Sequence, residues 1–462
     1  MYPPGPTTPV AFTLVRWMRQ PFTLMEELRA RYGETFTVDL GVMNKLVVLS
    51  NPEHVREVFA SNGDDMHSGK VAVALKPFLG ERSLILLDGG EHRRMRRLMM
   101  PPFHGERMQA YGAQMVDITH AAVDAMPVGR PFPIHKPMQS ITMDVILRTV
   151  FGLDDVTVRD QMRALLDRLL ELGAWPPLLF PAFQRDLGPW SPWGRFARVG
   201  EKADRLLLEQ IDRRRRESTA GRTDILSMFI DARDENGEPL SDIDLRDELV
   251  TLLVAGHETT ATGLAWTMHE VLSHPEVYAK LRDELSAAQR QGPLTPERVD
   301  KLPYVEAVIR EALRVHPIIP LVGRMLQQPM RVAGYDLPEG AIVAPSVYLV
   351  HHNPAVYPDP YRFDPERFVG KKPAAWEWIP FGGGVRRCIG MAFALYEMKM
   401  VLATLVSRTW MHAAPGYTIR PVRRSITLSP SDGMPVVLDA RLPRERQRGA
   451  PAPRGEVCSD PA

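Results

Sequence analysis

Cysteine is nearly missing from this chain. Two in 462 residues, Cys388 and Cys458, cannot build a disulfide framework and fit a reducing compartment. An excess of one charge is missing too: 57 basic residues against 56 acidic ones leave +1, so no global field points to nucleic acid or an acidic polymer as partner. Nor is there an apolar run fit to cross a bilayer. The best near the N-terminus, Val10 to Val15, is bounded by Pro9 and Arg16 and falls far short of the roughly 20 residues a span needs. Neither a signal peptide nor a transmembrane anchor is expected, and the expected location is the cytoplasm.

Against this background one stretch is unusual, Phe381-Gly-Gly-Gly-Val-Arg-Arg-Cys388-Ile-Gly390. Consecutive glycines let the backbone turn sharply and pass close to a flat ligand, because glycine takes positive φ freely and has no Cβ in the way. Gly390 opens the apolar run Met391-Ala-Phe-Ala-Leu-Tyr396, which predicts a helix beginning right after the cysteine. The unpaired N–H groups and positive dipole end of such a helix favour a thiolate over a neutral thiol. Cys388 is therefore read as a metal ligand, the axial ligand of a haem iron, with a small buried hydrophobe as the plainer alternative. The spacing Phe381-x-x-Gly384-x-Arg386-x-Cys388-x-Gly390 resembles the haem-binding loop of the cytochrome P450 superfamily of haem-thiolate monooxygenases.

That resemblance implies a mainly α fold with a minor β part, the haem lying between a long central helix and the cysteine-bearing loop. It extends over roughly Pro3 to Leu438. Residues 1–440 are thus expected to form a single domain, although length alone would suggest two or three. The segment 441–462, rich in Pro, Arg and Gly, is expected to be a disordered tail holding Cys458.

In chain order, Tyr2-Pro-Pro-Gly-Pro6 predicts an extended lead-in. A helix over Thr23–Tyr32, a hairpin of Thr35–Leu40 with Lys45–Ser50, and a helix from Pro52 to Phe59 capped by Asn51 follow. After an irregular, glycine-rich 61–90, the run Glu91 to Leu98 predicts a helix with His92 and Arg96 on one face. By resemblance these two contact the haem propionates; a solvated basic helix is the alternative. Further helices are predicted over 108–126, 141–150, 158–172 and 193–216, with Arg213 to Arg216 as a charged helix end. The segment Trp175 to Phe183 is proline-broken and unpolar. By resemblance it roofs the substrate entrance, and its character suits a greasy substrate or a membrane-surface contact.

Ser241 and Asp244 predict a capping box for a helix over Leu245–Leu272 that is apolar on nearly every face in its middle. At its centre sits Ala255-Gly-His-Glu-Thr-Thr260. Glycine there costs about 1 kcal/mol relative to alanine, so something must compensate. By resemblance this turn crosses the distal face of the haem, Ala255 and Gly256 leave room for oxygen, and Glu258 with Thr259 is the catalytic acid–alcohol pair that relays protons. A threonine bonded to the preceding turn beside a surface glutamate is the alternative.

The helix running from Leu302 to Val315 puts Glu311 and Arg314 on one face. With Arg367 they match a buried charge network of the family, which should pin the loop before Cys388 rather than do chemistry. Arg324 stands where the family places another propionate ligand, and Phe381, Arg386 and Gly390 complete the cofactor loop. Strands are predicted around Arg331–Asp336 and Ala341–Ala344, turned by Pro338-Glu-Gly340, then a helix to about Trp410 and hairpin pieces at Ile426–Leu428 and Val436–Leu438. Ile85, Leu86, Leu87, Ala255, Ile318, Ile319, Leu321 and Val322 are the expected lining of an apolar substrate pocket.

The function implied is haem-dependent monooxygenation, with haem b as cofactor and dioxygen as co-substrate. The resemblance extends to bacterial fatty-acid and terpene hydroxylases, so a fatty acid or terpenoid is the expected substrate. No flavin or NAD(P) motif is present. Electrons should therefore come from a separate ferredoxin or flavodoxin with its reductase, docking on Arg93, Arg94, Arg97 and Arg387, and the protein is expected to be a monomer. A haem-thiolate isomerase or peroxygenase needing no redox partner would share the fold, though the intact Glu258-Thr259 pair argues against it; a haem-based sensor is the third possibility.

Overall fold

The computed structural model describes residues 1–444 apart from 42–43, 104, 174, 180–182 and 425–426. Cys458 and the tail from 445, Ile426, and residues 180–182 of the 175–183 segment lie outside the described residues.

The architecture is built around the 32-residue helix Asp242–Ser273. It starts with the expected capping box: Asp244 N–H donates to Ser241 Oγ at 3.1 Å and Ser241 N–H to Asp244 Oδ2 at 3.2 Å. It stops where His274 precedes Pro275, since the residue before a proline is pushed out of helical backbone. Helices His135–Val145, Pro192–Arg216, Pro275–Arg290, Pro303–Val315 and Met391–Arg408 pack around it, which is why it can be apolar on nearly every side. Leu249, Leu253, Leu264, Val308, Met398 and Leu402 belong to the resulting core.

Beside this helical part lies a five-stranded sheet. Thr35–Asp39 pairs antiparallel with Lys45–Leu49, which runs parallel to Ile342–Pro345; Arg324–Leu326 and Met66–His67 follow on the far side. Strand alternation divides Lys45–Leu49 between two small cores: Leu46 and Val48 join Phe36 and Tyr348, while Val47 and Leu49 join Val55 and Ile379.

Four local readings change. Val10–Arg19 is a helix that buries Thr13 and Trp17 and leaves Phe12 and Val15 exposed. The 331–336 run is not one strand: Ala333 and Gly334, with positive φ of 51° and 83°, close a tight hairpin between Met330–Val332 and Tyr335–Leu337, and the expected turn at 338–340 follows it, Ala341 N–H donating to Pro338 O at 3.2 Å. Arg214 is no mere helix end, since it is buried and donates to Asp224 Oδ1 at 2.7 Å and Gly152 O at 3.0 Å. The last strand runs on to Arg441, and Leu442 N–H donates to Arg408 O at 2.7 Å, so ordered structure passes the boundary at 440.

Candidate active site

Cys388 lies in a loop closed by its own backbone: Cys388 N–H donates to Phe381 O at 2.9 Å and Arg387 N–H to Gly384 O at 3.1 Å. The glycines are required by the neighbour. A Cβ on Gly383 would run into the Phe59 ring, and one on Gly384, whose φ is +63°, into the Phe59 carbonyl. Gly390 precedes the helix Met391–Arg408, and its N–H points at the Cys388 sulfur. Burial pushes the thiol up; that N–H and the guanidiniums of Arg96 and Arg387 pull it back toward thiolate. The cysteine nevertheless presents free surface, which places it on the wall of a concavity. Phe381 stacks edge-on against Trp378, 5.9 Å between centroids, and anchors the loop's other end.

Above the loop, cations gather around one carboxylate. Arg386 pairs with Asp88 and donates to the carbonyls of Leu87 and, at 3.2 Å, Leu84. Arg324, 7% exposed, donates to Gly323 O at 2.9 Å and is pulled down to about 10 by burial and by Arg386. Arg96 is held below its ordinary value by burial. His92 is buried in the same field, so that burial, Arg386 and Arg96 push its imidazole down to about 3 and leave it neutral. Asp88 was not singled out from sequence. Standing before Gly89-Gly90, it suggests a cap for the helix Gly89–Met99; instead its carboxylate reaches back to the N–H groups of Ser68 and Gly69, both at 3.0 Å, and Lys70 at 3.2 Å.

On the central helix, Ala255 is exposed although most of the residues around it are buried or half-buried, so the helix opens onto free space there. A Cβ on Gly256 would meet only Ile146 Cδ1 at 3.5 Å, an ordinary contact. Packing within the chain does not by itself demand glycine. Ile146 begins a π-helical turn, Ile146–Val150, an irregularity that often marks functional sites. Thr259 Oγ1 donates to Ala255 O at 2.5 Å, and Glu258 is turned toward the neighbouring helix, where Gln139 Nε2 donates to its Oε2 at 2.7 Å. Acid and alcohol are adjacent in sequence, but their side chains face different partners.

The charge network is assembled. Arg314 is fully buried and all five of its N–H donors are bonded: Nε and Nη2 to Glu311 at 2.6 and 2.8 Å, Nη1 to His351 O and Pro360 O at 2.8 and 2.7 Å, and Nη2 again to Arg362 O at 3.1 Å. Arg367 Nε lies 3.4 Å from Glu311 Oε1. The network reaches the cysteine loop through His351, whose Nδ1 donates to Arg314 O at 3.1 Å while Nε2 accepts from Ile379 N–H at 2.9 Å. Ile379 O in turn accepts from Gly382 N–H at 3.0 Å.

The proposed pocket residues separate. Ile85, Leu86, Ile319 and Val322 are half-buried, Leu87 and Ile318 belong to the main core, and Leu321 packs against the small core around Phe36. The docking arginines are largely spent on the protein itself: Arg93 pairs with Asp64 at 2.7 Å, Arg94 with Asp234 at 2.6 Å and Arg97 with Glu235 at 3.0 Å, leaving Arg387 exposed. Among the described residues no helix is long and apolar enough to cross a membrane.

A family model for cytochrome P450 matches residues 3–434. The chain belongs to the cytochrome P450 family. It is accordingly a haem monooxygenase, an oxidoreductase of haem b and dioxygen. Cytochrome P450 135B1 of Mycobacterium tuberculosis is 38% identical over 434 residues, 93% of this chain and 90% of that one. Cytochrome P450 138 of the same organism is 33% identical over 441 residues, 95% and 96% of the two chains. Among solved structures, a cyanobacterial P450 with retinoic acid bound matches with TM-score 0.81 at 24% identity over 96% of this chain and 99% of that one. The haem domain of cytochrome P450DA matches with TM-score 0.84 at 24% identity over 95% and 97%. These two likenesses concern the fold.

Proposed function

We propose that this P450 inserts one atom of dioxygen into a small apolar substrate, a fatty acid or terpenoid, with Cys388 as the iron ligand and electrons from a separate ferredoxin or flavodoxin and its reductase. The observation that carries the reading is a charge count. Three guanidiniums, Arg96, Arg324 and Arg386, and a single carboxylate, Asp88, gather about His92 beside an exposed thiol, so two positive charges lack a partner among these groups. Two propionates of a haem supply that balance, and the cysteine at the head of the helix Met391–Arg408 supplies the ligand. When bound, the haem supplies reductive activation of dioxygen, favoured by electron release from the thiolate.

The chain's own part is to hold and to deliver. Gly390 N–H, Arg96 and Arg387 stabilise the thiolate; His92, kept neutral, donates a hydrogen bond without adding a fourth positive charge. Thr259 places a proton near the oxygen site and Glu258 supplies it, which requires Thr259 Oγ1 to leave Ala255 O and Glu258 to rotate away from Gln139. Half-buried Ile85, Leu86, Ile319 and Val322 favour apolar ligands, as do the exposed Trp175 and Phe183 at the described edges of the roof segment. Titrating the ferric protein with fatty acids and terpenoids tests this. The expected result is a saturable spin-state shift of the haem band, and oxygen-dependent product once ferredoxin and reductase are added. Product formed without any reductant would instead indicate the isomerase reading.

A further inference from the structure

Asp88 stands at the N-cap of the helix Gly89–Met99 and makes no cap bond there. A capping aspartate ordinarily serves the first turn of its own helix. Here both oxygens turn the other way, into three successive N–H groups: Ser68 and Gly69 donate to Oδ1 at 3.0 Å each and Lys70 to Oδ2 at 3.2 Å. Successive N–H groups of this kind make a cradle for an anion. The approach is close enough to require glycine, since a Cβ on Gly69 would run into Leu86 O and into the Asp88 carboxylate itself. The same carboxylate pairs with Arg386. Its cradle also touches the segment that carries Arg324: Ser68 Oγ donates to Gly323 O at 3.3 Å, the carbonyl to which Arg324 Nη1 donates at 2.9 Å. His92 and Arg96 lie on the helix that Asp88 opens. Residues 96, 324 and 386 are far apart in the chain, and one side chain, 13% exposed, joins the segments that bear them.

Anchoring a loop does not call for a charge, because the amide oxygen of an asparagine accepts from N–H groups as well. What the carboxylate adds is a negative charge among guanidiniums. It draws the His92 imidazole and the Arg324 guanidinium back toward their charged forms, against burial and Arg386. We propose that Asp88 is a positioning residue of the cofactor site, holding Arg386 and the Arg324 strand in place for the propionates, and that its charge sets the midpoint potential of the haem. This rests on the reading that Arg96, Arg324 and Arg386 face the propionates. A negative charge fixed beside a haem favours the ferric state over the ferrous one, because reduction adds an electron near that charge. With two propionates bound, the three guanidiniums and Asp88 balance to zero. Without Asp88 one positive charge is left over, and reduction becomes easier.

Reductive titration of the ferric holoprotein against redox dyes measures the effect without turnover. Asp88→Asn keeps the shape and an acceptor for Ser68 and Gly69 while removing the charge. At the parent's midpoint its ratio of ferrous to ferric protein should rise about tenfold, the size expected of one unit charge acting over roughly 10 Å at an effective dielectric of about 20. Asp88→Glu keeps the charge, and its ratio should stay within about threefold of the parent's. Arg324→Leu removes a positive charge and should move the ratio the other way, which checks that the haem sits among these guanidiniums. If Arg324→Leu moves the ratio and Asp88→Asn leaves it within about twofold, the proposal is overturned and the propionate reading stands. If neither variant moves it, both are overturned. A glutamate variant shifted as far as the asparagine one also overturns the proposal, because shape rather than charge would then be at work. Should Asp88→Asn fail to keep haem, Asp88→Glu decides: haem held at the parent's potential supports the proposal, and haem lost or a potential moved overturns it.

Discussion

Glu311→Gln separates the charge of the buried network from its shape. Glu311 and Arg314 are both fully buried, and the glutamine is nearly isosteric, so packing is kept while one guanidinium loses its counter-charge. Three of its five bonds, to His351 O, Pro360 O and Arg362 O, survive, but they are to neutral carbonyls. Breaking a buried pair on one side costs about 3–5 kcal/mol; with an amide oxygen still accepting one bond, we expect the lower end, about 3 kcal/mol. At a urea slope of about 3 kcal/mol per M the unfolding midpoint should fall by about 1 M. Because His351 ties Arg314 to Ile379, and Ile379 to Gly382, the same variant should also release haem faster. Urea titration followed by tryptophan fluorescence and by the haem band measures both. A midpoint shift below about 0.3 M would refute the reasoning, as would a destabilised protein that holds haem as tightly as the parent.

Arg324→Leu should have opposite effects on the two forms of the protein. It removes a buried charge that costs stability without haem, raising apoprotein stability by about 1 kcal/mol or more, yet it removes a propionate partner and weakens haem retention. Equal effects on both forms would place Arg324 outside the cofactor site. Thr259→Ala should leave haem and ligand binding near normal and divert reductant into hydrogen peroxide, and full coupling in the variant would move the proton-placing role elsewhere. Glu397 is buried and its carboxyl is pushed up to about 8 from 4.5, so between those values the folded chain keeps a proton the unfolded chain has lost. Its contribution is whole below pH 4.5 and declines as pH rises toward 8, and Glu397→Gln should flatten that decline in the melting temperature. An unchanged slope from pH 5 to 8 would contradict the assignment.

What could be read from sequence was local. The cysteine loop announces itself because its pattern, glycines, arginine, cysteine and a helix opening at Met391, lies within about ten residues, although what requires the glycines, Phe59, is remote in sequence. Glu311 and Arg314 are likewise one turn apart on a single helix. Asp88 escaped because its meaning is distant, with partners twenty residues back at Ser68 and nearly three hundred ahead at Arg386. The ion-pair partners of Arg93, Arg94 and Arg97, which are Asp64, Asp234 and Glu235, were hidden for the same reason. Ala333 hid a hairpin turn because alanine seldom takes positive φ; its N–H is held by Glu57 Oε2 at 3.1 Å.

The account rests on Cys388 being the iron ligand, and the reduced carbonyl complex of Cys388→Ser tests that most directly. With the thiolate gone, the long-wavelength absorption band expected of the parent should vanish while the helical content stays the same. A variant that keeps the band would place the ligand on another residue and contradict the assignment of this loop.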